Sequence, residues 1–411
     1  MTEFKLVEKP DWGPLATFIP NKEEPVYNWI YYKEGFAKEL VFRLAEMFSL
    51  KKGLMVGRRQ EDRRRQESPS SSMTPSVQVL DPFCGVGTTL LACKQLGLNS
   101  FGFDVHPVAV FSSKVKTRDY DTGIMRSEIK SLIKAKFIRP KKLPESGIAR
   151  FFPKHTLEDV VFFRDMIMQN HDSKVRDFLL LGLMNVAVKC SYAYKDGSVI
   201  KIRKKPVPPL RDMLRRQLFR MAKDLENLKT ERCETFADFG DARSLPLESG
   251  SIDSVITSPP YLNKIEYTKV YEIEKELFLH NIQEMPSARS YIGLSLSKLE
   301  QDSSRLEKAL DYETVRTLPQ EALPYLMDMF QAIEEMYRVC RKGARIGIVV
   351  GNGCFPTGVV ESDVILSRIA ESLAFKVDKI LVLNKRWCTK NRVEKVGITR
   401  ESLLIWSKQR E

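Results

Sequence analysis

Between Val77 and Asp104 the chain sets an apolar strand, a glycine turn, a helix and a second strand in direct succession. Val77 to Leu80 reads as the first strand, Asp81-Pro82-Phe83-Cys84-Gly85-Val86-Gly87-Thr88-Thr89 as the turn, and a helical pattern then runs to Gly97. Ser100 to Phe103 follows as a strand ending in Asp104. This order dictates a parallel α/β unit with a ligand crevice at the carboxyl end of the first strand. Gly85 and Gly87 let the backbone approach a ligand closely, and Thr88 or Thr89 can cap the helix. A dinucleotide fingerprint needs a third glycine three residues after the second, but Leu90 stands there, which weakens a pyrophosphate reading. Asp104, an acid about 20 residues past the glycines, is placed to accept hydrogen bonds from a ribose. A βαβ turn that binds nothing has the same outline but requires neither the glycines nor the acid.

A second constellation lies downstream. The apolar run Ile252 to Thr257 reads as a strand leading into Ser258-Pro259-Pro260-Tyr261. The prolines stiffen the backbone and remove two N–H donors. Carbonyl oxygens and the Ser258 hydroxyl then face whatever pocket lies at the strand end, with the Tyr261 ring beside them. Acceptors next to a stacking surface suit the amino group of a nucleobase, although a Ser-Pro turn with an aromatic plug has the same composition.

Together these residues resemble the amino-methylating DNA methyltransferases. Asp81 to Thr89 is similar to that family's S-adenosylmethionine-binding motif, and Ser258, Pro259, Pro260 and Tyr261 are similar to its catalytic motif. The resemblance implies that Asp81, Pro82, Phe83, Gly85, Gly87, Thr88 and Thr89 bind the cofactor. It sets Asp81 facing the methionine amino group and Asp104 holding the ribose. Gly240-Asp241-Ala242-Arg243 resembles the segment that contacts the adenine, which adds Asp241 and Ala242. The aromatic stretch containing Tyr27, Trp29, Tyr31, Tyr32 and Phe36, with a helix from about Ala37 to Phe48, resembles the motif beside the methionine end and adds Tyr32. An aromatic anchor covering the sheet explains the same stretch. A Ser opening the catalytic motif accompanies N4-cytosine methylation more often than N6-adenine methylation in that family. The implied fold is a Rossmann-like class I methyltransferase: α/β, a seven-stranded mostly parallel sheet with an antiparallel edge, and a largely helical insert.

The expected organisation has four parts. Residues 1–50 form the N-terminal segment by the cofactor site and 51–76 a basic polar linker. Residues 77–118 and 232–411 form the catalytic core, and 119–231 the insert. In the insert, helices are expected at Leu157 to Met168, Val175 to Val188 and Leu210 to Leu228, with a Tyr-rich hairpin between the last two. Tyr194, Lys201, Arg203, Lys204 and Arg211 there are the candidate DNA contacts, positive side chains toward phosphates. Pro286 to Pro319 is a second recognition candidate. Many enzymes with this catalytic motif carry it before the cofactor motif, whereas here it follows, and the insert interrupts the first half of the sheet. Further expected elements are helices at Tyr267 to Leu279 and Pro324 to Cys340, a strand at Arg345 to Val350, and a hairpin of Val377 to Leu383 with Leu403 to Ser407.

A formal charge of +13 favours a polyanionic partner, here double-stranded DNA. The seven cysteines contain no CxxC pair and no metal-ligand spacing with the four histidines, so no metal is expected and the thiols read as reduced in a prokaryotic cytoplasm. No cysteine follows a proline, unlike the nucleophile of C5 methylation. A cognate restriction endonuclease acting on the same site is a further implication of the resemblance. The expected chemistry is transfer from S-adenosylmethionine to the exocyclic N4 of cytosine in flipped-out DNA. The rivals are N6-adenine DNA methylation, RNA guanine-N2 methylation and a non-catalytic nucleic-acid-binding module.

Overall fold

The computed structural model describes residues 4–50, 76–144, 147–196, 199–262, 270–279, 291–293, 303–390 and 393–409. Its strands, in chain order, are β1 (Leu6–Glu8), β2 (Gln78–Asp81), β3 (Asn99–Asp104), β4 (Ala193–Asp196), β5 (Val199–Ile202), β6 (Thr235–Phe239), β7 (Ile252–Thr257), β8 (Cys340–Gly351), β9 (Gly353–Phe355), β10 (Gly358–Val360), β11 (Phe375–Lys390) and β12 (Glu394–Lys408). One sheet runs β1-β11-β12-β8-β7-β2-β3-β6. Only β12 is antiparallel, to both its neighbours β8 and β11. The fold is thus α/β with a mostly parallel sheet, but of eight strands rather than seven. The extra strand is β1, whose Leu6 pairs with Ile380, and the Lys9 N–H extends the ladder to the Val382 carbonyl at 2.8 Å. Three residues carry too little alternation to be read as a strand, yet they cover an otherwise open sheet edge.

Strand β2 is buried on both faces, as a central parallel strand must be. Val79 packs with α1 (Lys38–Met47) and part of α2 (Thr88–Leu96), whereas Leu80 packs on the opposite face with helices Leu323–Val339 and Ser362–Ser372. The helix Pro324 to Cys340 is therefore found one residue earlier, and the strand after it starts five residues before the expected Arg345. Of the expected helix Tyr267 to Leu279, the described part is helical at Glu272–Phe278. The linker at 51–75 and much of Pro286 to Pro319 lie outside the described residues; the rest of the latter includes helices Ser303–Leu310 and Tyr312–Thr317.

Beside α3 (Pro107–Thr117), the insert contributes α4 (Thr122–Lys134), α5 (Lys154–Met168), α6 (Ser173–Lys189) and α7 (Leu210–Asn227). Helix α4 goes beyond the sequence expectation. Met125, Ile129 and Leu132 give it a buried stripe, and the Ile124 N–H donates to the Asp121 carboxylate at 2.9 Å as an N-cap. The insert shares its core with Tyr27 and Trp29. The Trp29 indole N–H donates to Asp224 of α7 at 3.0 Å, and its ring meets Phe178 edge-on. Those two aromatics are anchors between the N-terminal segment and the insert. Sequence reading keeps all seven cysteines reduced, but Cys354 and Cys388 form a disulfide, their Cα atoms 5.6 Å apart. They stand in strands β9 and β11, distant in sequence and convergent in space.

Candidate active site

Strand order reverses between β2 and β7, since the chain crosses from β2 to β3 on one side and later enters β7 on the other. A crevice opens at such a reversal, beyond the carboxyl ends of the strands. Asp81 closes β2 and Thr257 closes β7. The Thr257 hydroxyl donates to Asp81 Oδ1 at 2.5 Å, the Thr89 hydroxyl to Oδ2 at 2.6 Å, and the Phe83 N–H to Oδ1 at 3.2 Å. The two motifs, 176 residues apart, are thereby clamped at one carboxylate. Burial raises the Asp81 carboxyl to about 6, against the lowering pull of its hydroxyl donors.

This corrects the expected capping. Helix α2 starts from Gly87 at φ 80° with no side-chain cap. Thr89 turns instead to Asp81, because a buried carboxylate without a cation needs hydroxyl donors more than an N-terminal turn needs a cap. Gly85 and Gly87 both adopt positive φ. A Cβ on Gly87 would also stand 3.0 Å from the Ser113 hydroxyl, which itself donates to the Gly85 carbonyl at 2.7 Å.

Asp104 accepts the Gly85 N–H on Oδ2 at 2.9 Å and the His106 N–H on Oδ1 at 2.8 Å. Each oxygen keeps a lone pair for a ligand hydroxyl. Burial also lifts this carboxyl to about 6. A single cavity of about 370 Å³ joins these groups, within the usual range for small-molecule clefts. Asp81, Pro82, Phe83, Gly85, Thr88 and Asp104 line it, as do Tyr32, Asp241 and Ala242 on other walls. Ser258, Pro259, Pro260 and Tyr261 line the same cavity. Gly87 and Thr89 stand behind it and shape the turn.

Neighbours fix the wall positions. The Tyr261 hydroxyl bonds to Glu401 at 3.0 Å, and its ring lies where a Cβ on Gly351 would come within 2.7 Å. Tyr32 stacks on Tyr271 at 5.3 Å and lies over Gly85. The Arg243 guanidinium forks onto Asp241 at 2.6–3.1 Å and reaches Asp328 at 2.8 Å. Sequence reading misses His106, Glu34, Tyr291, Arg386 and Glu401, which also line the cavity. His106 is the most telling: it is buried, and its Nδ1 has no hydrogen-bond partner among the described residues. Burial, helped by Lys195 and Lys275, depresses it to about 3, so it is a neutral imidazole. A histidine two residues past Asp104 and directly before the Pro that opens a helix is the available signal.

The candidate DNA contacts lie apart from the cavity lining. Strands β4 and β5 form the expected hairpin, with Tyr194 opposite Lys201. Arg203 sits 4.8 Å from the Tyr194 ring, Lys201 pairs with Asp196 at 2.6 Å, and Lys204 is exposed. Arg211 is engaged within the fold. It donates to the carbonyls of Ile133 and Ala135 at 2.7 and 2.9 Å and packs on Phe163. Those carbonyls at the end of α4 have no helical donors, and one guanidinium nitrogen satisfies both. The hairpin does reach the cavity wall indirectly: Lys195 pairs with Glu274 at 2.9 Å and stands 3.6 Å over Tyr271.

Residues 70–114 match a family described as DNA methylase, covering N6 and N4 types. That segment contains β2, the glycine turn, β3 and most of α3. Among curated proteins, the chain is 26% identical to the Type II methyltransferase M.BsoBI of Geobacillus stearothermophilus, over 96% of this chain and 88% of the relative. It is 24% identical to the Type II methyltransferase M.AvaI of a Nostoc species, over 90% and 83% respectively. A shorter stretch, 29% of this chain and 18% of the relative, is 44% identical to the Type II methyltransferase M.MjaII of Methanocaldococcus jannaschii. Among the described residues, no helix is long and apolar enough to cross a membrane. With the two motifs opening on one cavity, these matches support an amino-methylating DNA methyltransferase.

Proposed function

We propose that the protein methylates the exocyclic N4 of cytosine in duplex DNA, site-specifically and on an extruded base, as the modification half of a restriction–modification pair. The observation carrying this reading is that Ser258-Pro259-Pro260-Tyr261 and the Asp81–Asp104 turn line the same cavity. The Ser at position 258 favours cytosine over adenine by the family tendency above. A partner endonuclease cutting the same site is part of the proposal, and the similarity to type II methyltransferases lends it support.

The cavity suits S-adenosylmethionine. Its floor holds buried carboxylates with free lone pairs, its walls are aromatic and apolar, and His106 Nδ1 waits without a partner among the described residues. Asp104 would hold the ribose, Asp241 and Ala242 the adenine, and Asp81 with Tyr32 the methionine end. When bound, the cofactor supplies a methyl group activated by its sulfonium. The chain's own residues do the remainder. The Ser258 hydroxyl and the Pro259 carbonyl accept hydrogen bonds from the amine, which turns its lone pair toward the donor and stabilises the charge that develops on nitrogen. Tyr261, held by Glu401 and Gly351, offers its ring to the base. Stacking there offsets part of the few kcal/mol of unstacking that extrusion requires.

The test is transfer of labelled methyl groups to DNA of varied sequence, followed by digestion to nucleosides. N4-methylcytosine is expected. N6-methyladenine would overturn the cytosine assignment, and label entering transfer RNA but not duplex DNA would overturn the reading altogether.

A further inference from the structure

We propose that the distal half of the β11–β12 ribbon, Asn384–Lys390 with Glu394–Arg400, grips duplex DNA beside the extruded base; this rests on the function proposed above. β12 pairs with β8 only from Glu401 to Ser407, and β1 pairs with β11 only at Ile380 to Val382. Beyond those points, among the described residues, β11 and β12 pair only with each other in the sheet. They therefore project from its carboxyl end, the end that carries the cavity. Arg386 lines that cavity, so the ribbon begins at its rim.

Its charge is one-sided. The two spans contain five cations and one acid, Glu394. Lys385 is taken by Glu8, and Arg400 by Asp363 and Glu361. Arg386, Lys390 and Lys395 have no carboxylate partner among the described residues. Beside them sits an apolar pair that the fold does not bury: Trp387, 55% exposed, opposite Ile398, 47% exposed. The Lys395 amine lies 4.5 Å from the Trp387 ring centroid. Unpaired cations around an exposed aromatic suit a polyanion with flat faces. A two-stranded ribbon also has the width of a B-DNA major groove.

The ribbon is held in place rather than trailing. The Cys354–Cys388 disulfide ties it to β9, and Gly397 lies against Val359 of β10, where a Cβ would come within 2.8 Å. A pre-set arm loses less entropy when it binds.

The test measures binding of full-length protein to duplex DNA by fluorescence anisotropy across a salt series. The variants are K390A/K395A and W387A. Removing one phosphate-binding cation lowers the slope of log affinity against log salt by about 0.9. The double variant should therefore lower it by about 2, and W387A should weaken binding with the slope unchanged. Calorimetric binding of S-adenosylmethionine should stay at the wild-type value in both. Wild-type slope and affinity in both variants would overturn the ribbon inference, as would a slope change confined to RNA. If the wild-type protein neither binds nor methylates duplex DNA, the proposed function falls as well, so the two failures are distinguishable.

Discussion

The carboxyl-end cavity and the helical insert treat their polar residues in opposite ways. In the cavity, groups from distant parts of the chain converge with spare hydrogen-bonding capacity. Asp104 keeps lone pairs, His106 Nδ1 is unpartnered among the described residues, and Ser258 lines the space beside them. In the insert, the cations that the sequence marks for DNA are largely engaged by the protein itself, Arg211 by the end of α4 and Lys201 by Asp196. The contrast teaches that backbone geometry sets the cavity, while tertiary pairing decides which surface cations remain for a ligand.

The comparison breaks most sharply at Ser258. Ser258→Ala should lower kcat by about 10²–10³, the usual loss for one pre-set polar group at a developing charge. S-adenosylmethionine affinity, measured by calorimetry, should persist. Equal turnover would return Ser258 to a structural role. Gly351→Ala comes next: its Cβ would collide with the Tyr261 ring at 2.7 Å. Turnover should fall with cofactor affinity preserved, and Tyr261→Ala should act in the same direction.

Arg211→Ala should instead destabilise by about 1–3 kcal/mol, since two carbonyls at the end of α4 lose their donor. Thermal unfolding would show it, while the salt slope of DNA binding should not move. A reduced slope would make Arg211 a phosphate ligand after all. A smaller effect is expected from pH. Ribose hydroxyls favour the ionised Asp104, whose pKa is raised by burial to about 6. Cofactor affinity should thus decline as pH falls through about 6, not through the ordinary aspartate range. The same shift works against folding in the other direction. A carboxyl raised in the folded state binds its proton more tightly there, so stability declines as pH rises from the ordinary range through about 6. Calorimetry and denaturation at pH 5 and 7 check both signs.

Much of the site is legible in the sequence because its signals are local. Two glycines at positive φ, an acid at the end of β3 and a proline pair at the end of β7 each fix a backbone, and strand ends converge whatever the chain order. Thr89 is misread because its choice between a cap and Asp81 depends on β7, which arrives far downstream. Arg386 and Glu401 escape notice because nothing near them in sequence marks a cavity. His106 does carry a local signal, two residues past Asp104 and directly before the helix-opening Pro107, but the glycine and proline motifs overshadow it. Sequence reading ends the ribbon at Leu383 for a related reason. Its outer half carries no apolar alternation, since it pairs strand to strand without covering a core. Strand β1 is overlooked because three residues make no pattern, only an edge.

The most direct test is the structure of a ternary complex with a non-transferable analogue of S-adenosylmethionine and a substrate duplex. The account predicts the analogue's ribose on Asp104 and an extruded cytosine amine within hydrogen-bonding reach of Ser258, both in the cavity that Asp81 and Thr257 clamp together. An analogue lodged elsewhere, or a target base that stays stacked in the duplex while the methyl donor is in place, would contradict it.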